Sequence, residues 1–312
     1  MKVFIDGRAG TTGLQLEQRL RARSDIILID IDPIRRKDPG ARKSCIEQSD
    51  VVFLCLPDVE ARESAAMAPK DTLVIDASTA HRTDPDWTYG LPELSPDHRA
   101  AAAHSRRIAV PGCHAAGFIS AVYPLVANGL LPRDTRLSCT SLTGYSGGGR
   151  PLIETYETDR VPGDPLHAPR PYALGLTHKH LPEMTAVCGL TYAPHFLPVL
   201  GDMERGMLVS VPLWDAQLSR HGGAQMVWET LATHYGNSRF VKVQPFAPEL
   251  PGGCLDPTAC NGTNRLELFV FGHETQILVT ARLDNLGKGA SGAAVQCMNV
   301  ACGLDEGIGL DS

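Results

Sequence analysis

Cys113 is the residue of this chain with the clearest capacity for covalent chemistry. It follows a predicted strand and a Pro-Gly turn, and it precedes a helix predicted over Ala115–Ala127. At the start of a helix, a sulfur meets unpaired backbone N–H groups and the positive end of the helix dipole, which lower a thiol pKa from its ordinary value of ~8.5. The position predicts a nucleophile; the alternative for a lone cysteine is a small core residue.

Two histidines supply candidate groups for proton transfer. His178 and His180 flank a lysine in a short polar stretch. An imidazole beside a thiol can accept its proton and return one to a forming aldehyde oxygen. Because residues two apart in an extended segment point to opposite sides, we expect one ring to face the sulfur and the other to contact the substrate or orient its neighbour. A surface loop is one alternative, and a metal pair is another that lacks a third ligand at a helpful spacing.

A glycine-rich turn follows the first predicted strand, Lys2–Ile5, and opens a helix predicted over Thr11–Arg23. Its spacing is G-x-x-G-x-x-G rather than the usual G-x-G-x-x-G. Glycines permit a tight turn and close backbone approach, so that a pyrophosphate can lie on the helix N-terminus. A plain strand-to-helix turn is the alternative. The cofactor-binding candidates in this turn are Gly7, Arg8, Gly10, Thr11, Thr12 and Gly13.

Charged residues after the second predicted strand bear on the choice of cofactor. Asp30 and Asp32 would favour the ribose hydroxyls of NAD, whereas Arg35, Arg36 and Lys37 would favour a 2′-phosphate. Because the bases lie just beyond the strand end, where an adenosine ribose is expected, the pattern favours NADP. A solvated charged loop is the alternative.

Two further glycine-rich stretches, 145–150 and 285–292, can bring backbone donors close to a ligand. Arg150 and Lys288 lie in them as fixed cations that suit a phosphate, a carboxylate or a nicotinamide amide. Flexible loops are the default explanation for either stretch alone. The cofactor-binding candidates here are Gly147, Gly148, Asn285 and Lys288.

The order of elements predicts an α/β protein of two domains. Short apolar runs alternate with helical patterns as far as residue 76, which is typical of a Rossmann-type, doubly wound parallel sheet. Residues 77–106 read as loops. Strand-like stretches dominate from Arg136 onward and predict a second, α+β domain on a mixed or antiparallel sheet. The helical pattern Ala290–Ala301 predicts a return to the first domain, which gives an NADP-binding domain of 1–112 plus 290–312 and a catalytic and oligomerisation domain of 113–289.

Composition excludes several classes of protein. A net charge of −6 over 312 residues gives no basic field for nucleic acid or an anionic membrane. No run of about 18 apolar residues or export signal is visible, so we expect a soluble, cytoplasmic protein. The nine cysteines are scattered without a Cys-x-x-Cys pair, which favours free thiols in a reducing compartment and no metal site.

Several strings, in order along nearly the whole chain, resemble the shorter form of the N-acetyl-gamma-glutamyl-phosphate reductase family. The family is also similar to aspartate-semialdehyde and glyceraldehyde-phosphate dehydrogenases in fold and chemistry. The matching strings are IDGRAGTTG at the start, YGLPEL at Tyr89–Leu94, PGCHAAGF around Cys113, SGGGR at Ser146–Arg150, HKHLPEM at His178–Met184, PHFLPVLGDMERG at Pro194–Gly206 and DNLGKGASGAAVQCMN at Asp284–Asn299.

This resemblance implies an NADPH-dependent oxidoreductase of arginine biosynthesis. It would convert N-acetylglutamyl phosphate to the semialdehyde through a thioester on Cys113, as a homo-oligomer, dimer or tetramer. It also implies that His180 is the acid/base, with His178 second, and that Ser78 binds the cofactor. The substrate-binding residues that it implies are Arg82, Glu93, Arg150, His195 and Arg205.

Three other readings compete with this one. An aspartate-semialdehyde dehydrogenase uses the same thioester logic on a shorter acyl phosphate, and only the family likeness of HKHLPEM and YGLPEL argues against it. A cysteine hydrolase would use Cys113 and a histidine without a nucleotide, which leaves the glycine turn without a role. A nucleotide-binding regulator without catalysis would not need the cysteine, both histidines and Lys288 together.

Overall fold

A computed structural model describes residues 1–158 and 164–311. These residues form two compact units, which we call unit 1 (Met1–Gly112 with Ala290–Asp311) and unit 2 (Cys113–Gly289). Residues 159–163 and Ser312, which the predicted domain ranges include, lie outside the described residues.

The elements of both units are numbered in chain order. The helices are α1 (Thr11–Arg21), α2 (Pro39–Glu47), α3 (Asp58–Met67), α4 (Pro96–His104), α5 (Cys113–Ala127), α6 (Arg150–Thr158), α7 (Leu181–Cys188), α8 (Gly223–Tyr235) and α9 (Gly292–Ala301). The strands are β1 (Lys2–Asp6), β2 (Ile27–Ile29), β3 (Val51–Leu54), β4 (Leu73–Asp76), β5 (Thr88–Tyr89), β6 (Arg107–Ala109), β7 (Ser138–Gly144), β8 (Arg170–Pro171), β9 (His195–Gly201), β10 (Met207–Trp214), β11 (Val241–Val243), β12 (Leu266–Gly272) and β13 (Gln276–Leu283).

Unit 1 is built on a six-stranded parallel sheet in the order β2-β1-β3-β4-β6-β5. All residues of β3 and β4 are buried, as expected where helices cover both faces of a parallel sheet. The Rossmann-type prediction is confirmed. The carboxyl end of β1 leads directly into the glycine turn, so this sheet edge positions the cofactor-binding candidates.

A buried polar cluster fixes the carboxyl end of β1. The Arg42 Nε of α2 donates to Asp6 at 3.0 Å, and the Ser64 hydroxyl of α3 hydrogen-bonds to both partners. Burying an ion pair costs desolvation free energy, which further hydrogen bonds offset. The hydrogen bonds of Ser64 to both partners supply this compensation. Helix α9 belongs to the same unit, where its Asn299 accepts a hydrogen bond of 2.7 Å from Arg23.

Unit 2 contains a seven-stranded sheet in the order β11-β12-β13-β10-β7-β9-β8. The β7–β9 and β11–β12 pairs are parallel and the others antiparallel, so the prediction of a mixed sheet is confirmed. Helix α5 packs closely on one face, where a Cβ at Gly117 would lie 2.6 Å from the Val209 side chain. On the opposite face Trp214 is 56% exposed, which leaves apolar side chains open.

The structure differs from the predictions made from the sequence in two places within unit 1. Residues 77–106, expected to be loops, contain strand β5 and helix α4. Helix α4 begins at a Ser95 cap and is rich in alanine, so its apolar stripe is too weak to be recognised. Leu14, expected on the apolar face of α1, is 51% exposed, because α1 buries Gly13, Leu16 and Leu20.

Candidate active site

Cys113 is the first residue of α5 and is partly exposed. Its sulfur and one ring nitrogen each of His114 and His180 lie within 4.8 Å of one another. Other thiols differ in their surroundings, because burial raises the pKa of Cys139 and Cys188. A partly exposed sulfur at a helix start beside two imidazoles is therefore the thiol best placed to act as a nucleophile.

A tight turn packs against the nucleophile. The carbonyl of Asp284 accepts hydrogen bonds from the N–H groups of Gly287 and Gly289, at 3.1 and 3.0 Å. A Cβ at Gly289 would lie 2.7 Å from the Cβ of Cys113, closer than real Cβ contacts. Gly289 therefore lets the backbone approach the cysteine. This packing role differs from the flexible loop that was the alternative for residues 285–292.

His178 and His180 lie side by side, with ring centroids 4.7 Å apart. The expectation that they point to opposite sides is wrong because the segment is a turn rather than extended, with Leu181 N–H donating to the His178 carbonyl at 3.0 Å. The N–H of His180 donates to Nδ1 of His178 at 3.1 Å. Whenever the His178 ring is neutral, its proton is consequently on Nε2.

His114 is a member of the site that the sequence reasoning missed. Its ring is buried between two hydroxyls, with Nδ1 2.7 Å from Ser141 Oγ of β7 and Nε2 2.9 Å from Tyr172 Oη. Burial, followed by the charges of His178 and Lys179, lowers the pKa of His114 to about 3. The ring is therefore uncharged at neutral pH. Its only sequence signal is its place beside Cys113.

The same three residues supply the third metal ligand that the sequence argument lacked. Cys113, His114 and His180 offer one sulfur and two nitrogens at a common point. However, both nitrogens of His114 already hydrogen-bond to hydroxyls, so a metal ion would have to displace one of these partners. The hydrogen bonds favour a role in positioning over one in metal binding.

The structure brings several predicted cofactor residues of unit 2 together. Asn285 accepts a hydrogen bond of 3.0 Å from Gly206 N–H and donates one of 2.9 Å to Ser146 Oγ. A Cβ at Gly147 would lie 3.7 Å from its amide nitrogen, and Gly148 follows in the same turn. The side chain of Asn285 therefore holds the loop of Ser146 and the loop of Gly206 together. Arg205 lies in the loop of Gly206.

Lys288, a predicted cofactor-binding cation, is buried. Its side chain is fully buried, with the ammonium nitrogen 5.7 Å from the ring centroid of Phe240. A buried ammonium over an aromatic face is stabilised by a cation–π interaction. The π-helical turn Gly287–Ser291 places the Lys288 side chain inside unit 2, and its role in cofactor binding stays a prediction.

Two predicted substrate residues of unit 2, His195 and Arg150, are exposed. Phe196 of β9 packs on the ring of His114, at 5.2 Å. The neighbouring His195 is exposed and points to the other face of the sheet, because successive residues of a strand alternate. Arg150 is exposed at the start of α6 and pairs with Glu154 at 2.8 Å. Substrate binding by His195 and Arg150 stays a prediction.

In unit 1 the glycine turn is defined by its backbone. Gly7 has φ +88°, and a Cβ there would meet the Cys55 carbonyl oxygen at 2.2 Å. A Cβ at Gly13 would meet Gly7 O at 2.6 Å, whereas one at Gly10 would meet nothing closer than 3.4 Å. Helix α1 has neither a side-chain cap nor an acidic residue in its first turn. Its N-terminus, which starts at Thr11 and Thr12, is therefore suited to a pyrophosphate.

The charged residues expected to choose the cofactor are paired in the structure. Arg8 of the glycine turn forms an ion pair with Asp30, and Arg35 pairs with Asp38 at 3.2 Å. Arg36 is exposed. Because Arg8 neutralises Asp30, the carboxylate that would favour NAD is already engaged.

The remaining predicted residues of unit 1 hold its loops. Ser78 donates to the Asp76 carboxylate at 2.7 Å. Arg82 donates to the carbonyls of Val110 and Ala77 at 2.9 and 3.1 Å. Glu93 accepts from Gln296 of α9 at 2.8 Å. These contacts fix the loops at the carboxyl ends of β4 and β6.

Comparisons with known proteins agree with both units. Residues 8–102 match the NAD binding domain of semialdehyde dehydrogenases, and residues 113–285 match the dimerisation domain of the same enzymes. N-acetyl-gamma-glutamyl-phosphate reductase 2 of Nostoc sp. is 43% identical over 99% of both chains. The chain belongs to the N-acetyl-gamma-glutamyl-phosphate reductase family. Members from Burkholderia cenocepacia and Pseudomonas putida are 43% and 44% identical over at least 96% of both chains.

Solved structures place this reductase in a wider fold family. Aspartate semialdehyde dehydrogenase II of Vibrio cholerae has a TM-score of 0.73 at 16% identity and covers 96% of this chain and 98% of its own. Aspartate semialdehyde dehydrogenase of Francisella tularensis has a TM-score of 0.72 at 15% identity, with 96% and 99% covered. At these identities the likeness concerns the fold. In the described residues, every helix is too short or too polar to cross a membrane.

Proposed function

We propose that the protein reduces N-acetylglutamyl phosphate to the semialdehyde, with release of phosphate, in arginine biosynthesis. The observation that carries this proposal is Cys113 at the start of α5, with ring nitrogens of His114 and His180 within 4.8 Å. Full-length relatives at 43% identity with this activity in their names support it.

The first step uses Cys113 as the nucleophile. His180 accepts the thiol proton at a ring nitrogen, and the sulfur then attacks the acyl carbon. The C–O bond to phosphate breaks, phosphate leaves and a thioester remains on Cys113. N–H groups at the start of α5 point at the oxygen that becomes negative as the tetrahedral intermediate forms.

The second step converts the thioester to the aldehyde. A nicotinamide cofactor supplies the hydride when it is bound. His180, protonated in the first step, donates a hydrogen bond to the oxyanion of the intermediate; as the C=O bond re-forms the C–S bond breaks, the aldehyde is released, and His180 returns its proton to the sulfur of Cys113. His178, with its proton on Nε2, is placed to contact the substrate.

The glycine turn of unit 1 fits a dinucleotide. Gly10 has room for a Cβ, so packing alone does not require a glycine there, whereas a pyrophosphate approaching the N–H groups of α1 does. Arg8, Arg35 and Arg36 would hold a 2′-phosphate as charged partners, and the engagement of Asp30 by Arg8 favours NADP over NAD.

The open face of the unit 2 sheet supports a homo-oligomer. Pro212, Trp214, Phe271 and Leu278 line a shallow cavity of about 350 Å³ on this face. Apolar side chains exposed over a sheet face mark an interface, and residues 113–285 match a dimerisation domain. A second copy of the chain is the proposed occupant. Trp214→Lys should shift the protein to monomers in sedimentation, whereas Tyr192→Phe should not.

An assay of aldehyde oxidation tests the proposed reaction. N-acetylglutamate semialdehyde and aspartate semialdehyde are compared with phosphate and NADP, and NADPH formation is followed at 340 nm. We expect the first substrate to be strongly preferred. Preference for aspartate semialdehyde would instead assign the related dehydrogenase activity, and hydrolysis without cofactor would assign a cysteine hydrolase.

A further inference from the structure

The His114 ring lies between two hydroxyls that can each donate or accept a hydrogen bond. Ser141 Oγ is 2.7 Å from Nδ1, and Tyr172 Oη is 2.9 Å from Nε2. Because the ring is buried and stays neutral, it carries a single proton. One hydroxyl must therefore donate to the ring and the other must accept from it.

Only one of the two directions leaves a proton free at the site. If Nδ1 carried the proton, the Tyr172 hydroxyl would donate to His114 and its proton would point away from other acceptors. If Nε2 carries it, Ser141 donates to Nδ1, His114 donates to Tyr172, and the Tyr172 proton is available to a further acceptor. A charged sulfur nearby favours the second direction, because it attracts a donor.

Cys113 lies beside this hydrogen-bonded group. Its sulfur lies within 4.8 Å of a His114 ring nitrogen, and the Tyr172 backbone is fixed by a hydrogen bond of 3.0 Å to Pro198 of β9. Burial, and next the charge on Cys113, raises the pKa of Tyr172. The phenol therefore keeps its proton across the neutral range and responds to the charge on the sulfur.

We propose that Ser141, His114 and Tyr172 form a directed hydrogen-bond relay whose final hydroxyl donates to the Cys113 thiolate. His114 and Ser141 are positioning residues, and Tyr172 is the group that acts. In the reaction, the same hydroxyl would donate to the oxyanion on the acyl carbon; this part rests on the proposed function. The relay stabilises the nucleophile without adding a charge to the site.

Other groups also face His114, and they must be separated from the relay. The rings of His178 and His180 each lie 5.4 Å from it, and the Lys179 charge acts on it. Each of these groups influences the ionisation of Cys113 as a cation or a base. The relay influences it through a neutral donor, so removing one hydroxyl while keeping all three groups isolates its effect.

The test measures how alkylation of Cys113 by iodoacetamide depends on pH, with the modified peptide followed by mass spectrometry. Tyr172→Phe should raise the apparent pKa of Cys113 by about one unit and slow its alkylation at pH 7 by about tenfold. Tyr192→Phe is the matched control, since Tyr192 is exposed and stacks on Arg136. Melting temperatures verify that both variants fold.

Two variants of His114 test the direction of the relay. Glutamine reaches the position of Nε2 and can donate to Tyr172, whereas asparagine reaches only the position of Nδ1. His114→Gln should leave the apparent pKa of Cys113 close to that of the unmodified protein, and His114→Asn should behave like Tyr172→Phe. Ser141→Ala should give a smaller rise than either.

The outcomes distinguish the relay from the proposed function. Equal pKa values of Cys113 in Tyr172→Phe and Tyr192→Phe would overturn the relay. Equal values in the glutamine and asparagine variants would overturn its direction. If the pKa of Cys113 responds as expected but the unmodified protein oxidises neither semialdehyde, the relay stands and the reductase assignment fails.

Discussion

The glycine turn of unit 1 is one continuous run, residues 7–13, whereas the surroundings of Cys113 in unit 2 come from segments distant in sequence. His114, Ser141 and Tyr172 lie on α5, on β7 and after β8, and they meet only through the register of the mixed sheet. A local turn is governed by backbone geometry that each glycine must permit. The thiol pocket depends on side chains that hold one another in place. Damage to the two regions should therefore separate cofactor binding from the chemistry of the thiol.

The largest separation is expected for Cys113→Ser. Loss of the nucleophile should lower kcat by about 10⁴-fold or more, because no thioester can form. NADP binding should stay largely intact, since the glycine turn is unchanged. Isothermal titration with NADP and steady-state rates measure the two effects. Substantial reductase activity in this variant would contradict the thioester mechanism.

The next largest effect concerns the two histidines. His180→Asn should lose most of kcat, about 10²–10⁴-fold, together with the limb of the pH–rate profile near pH 6–7. His178→Asn should mainly raise KM, because its proton on Nε2 faces away from the backbone contact at Nδ1. The pH dependence of kcat and KM in both variants is the measurement. The reverse pattern would exchange their roles.

Gly7→Ala breaks the other region. A Cβ at a φ of +88° and 2.2 Å from the Cys55 carbonyl oxygen forces the turn to move, at a cost of about 2–3 kcal/mol. We expect NADP affinity to fall by about 30–100-fold, while the alkylation rate of Cys113 is unchanged. Gly10→Ala is the informative partner, because its Cβ has room in the protein. If Gly10→Ala binds NADP normally, the proposal that a pyrophosphate approaches the backbone closely at Gly10 is wrong.

The smallest effect sharpens the choice of cofactor. Replacing Arg35, Arg36 and Lys37 with Ser should erode a preference for NADPH over NADH by ~1–3 kcal/mol for each charged hydrogen bond that is lost. The ratio of kcat/KM for the two cofactors gives the result. Arg8→Ser, which leaves Asp30 with only the longer ion pair to Arg21 at 3.6 Å, should shift the ratio in the same direction. Equal efficiency with both cofactors in the unmodified protein would refute the preference.

The sequence predicted features that depend on neighbours along the chain. Strand β1 begins at Lys2 as predicted and ends one residue beyond the predicted Ile5, and the glycine turn follows it as expected. Apolar strands and glycine spacing are local patterns, so they can be read without the fold. Helices α2 and α3 were missed because their apolar stripes are short, and burial there involves the polar Arg42 and Ser64.

The thiol pocket was predicted only in part. Cys113 and the histidine pair have local signals. The side-by-side packing of the His178 and His180 rings, however, depends on the turn at Leu181, which the sequence does not reveal. His114 had no signal beyond its place beside Cys113, because its partners, Ser141 and Tyr172, are 27 and 58 residues away. The directions of the His195 and Lys288 side chains could not be read from the sequence, because strand alternation and the π-helical turn decide them.

The hydrogen bond between Arg23 and Asn299 has a consequence for synthesis of the chain. It joins residues 276 positions apart, so the ribosome must release α9 before unit 1 can complete its core. All of unit 2 emerges in the meantime and can fold first. The strands of unit 1 are therefore synthesised long before helix α9, and unit 1 completes its core only after α9 has emerged.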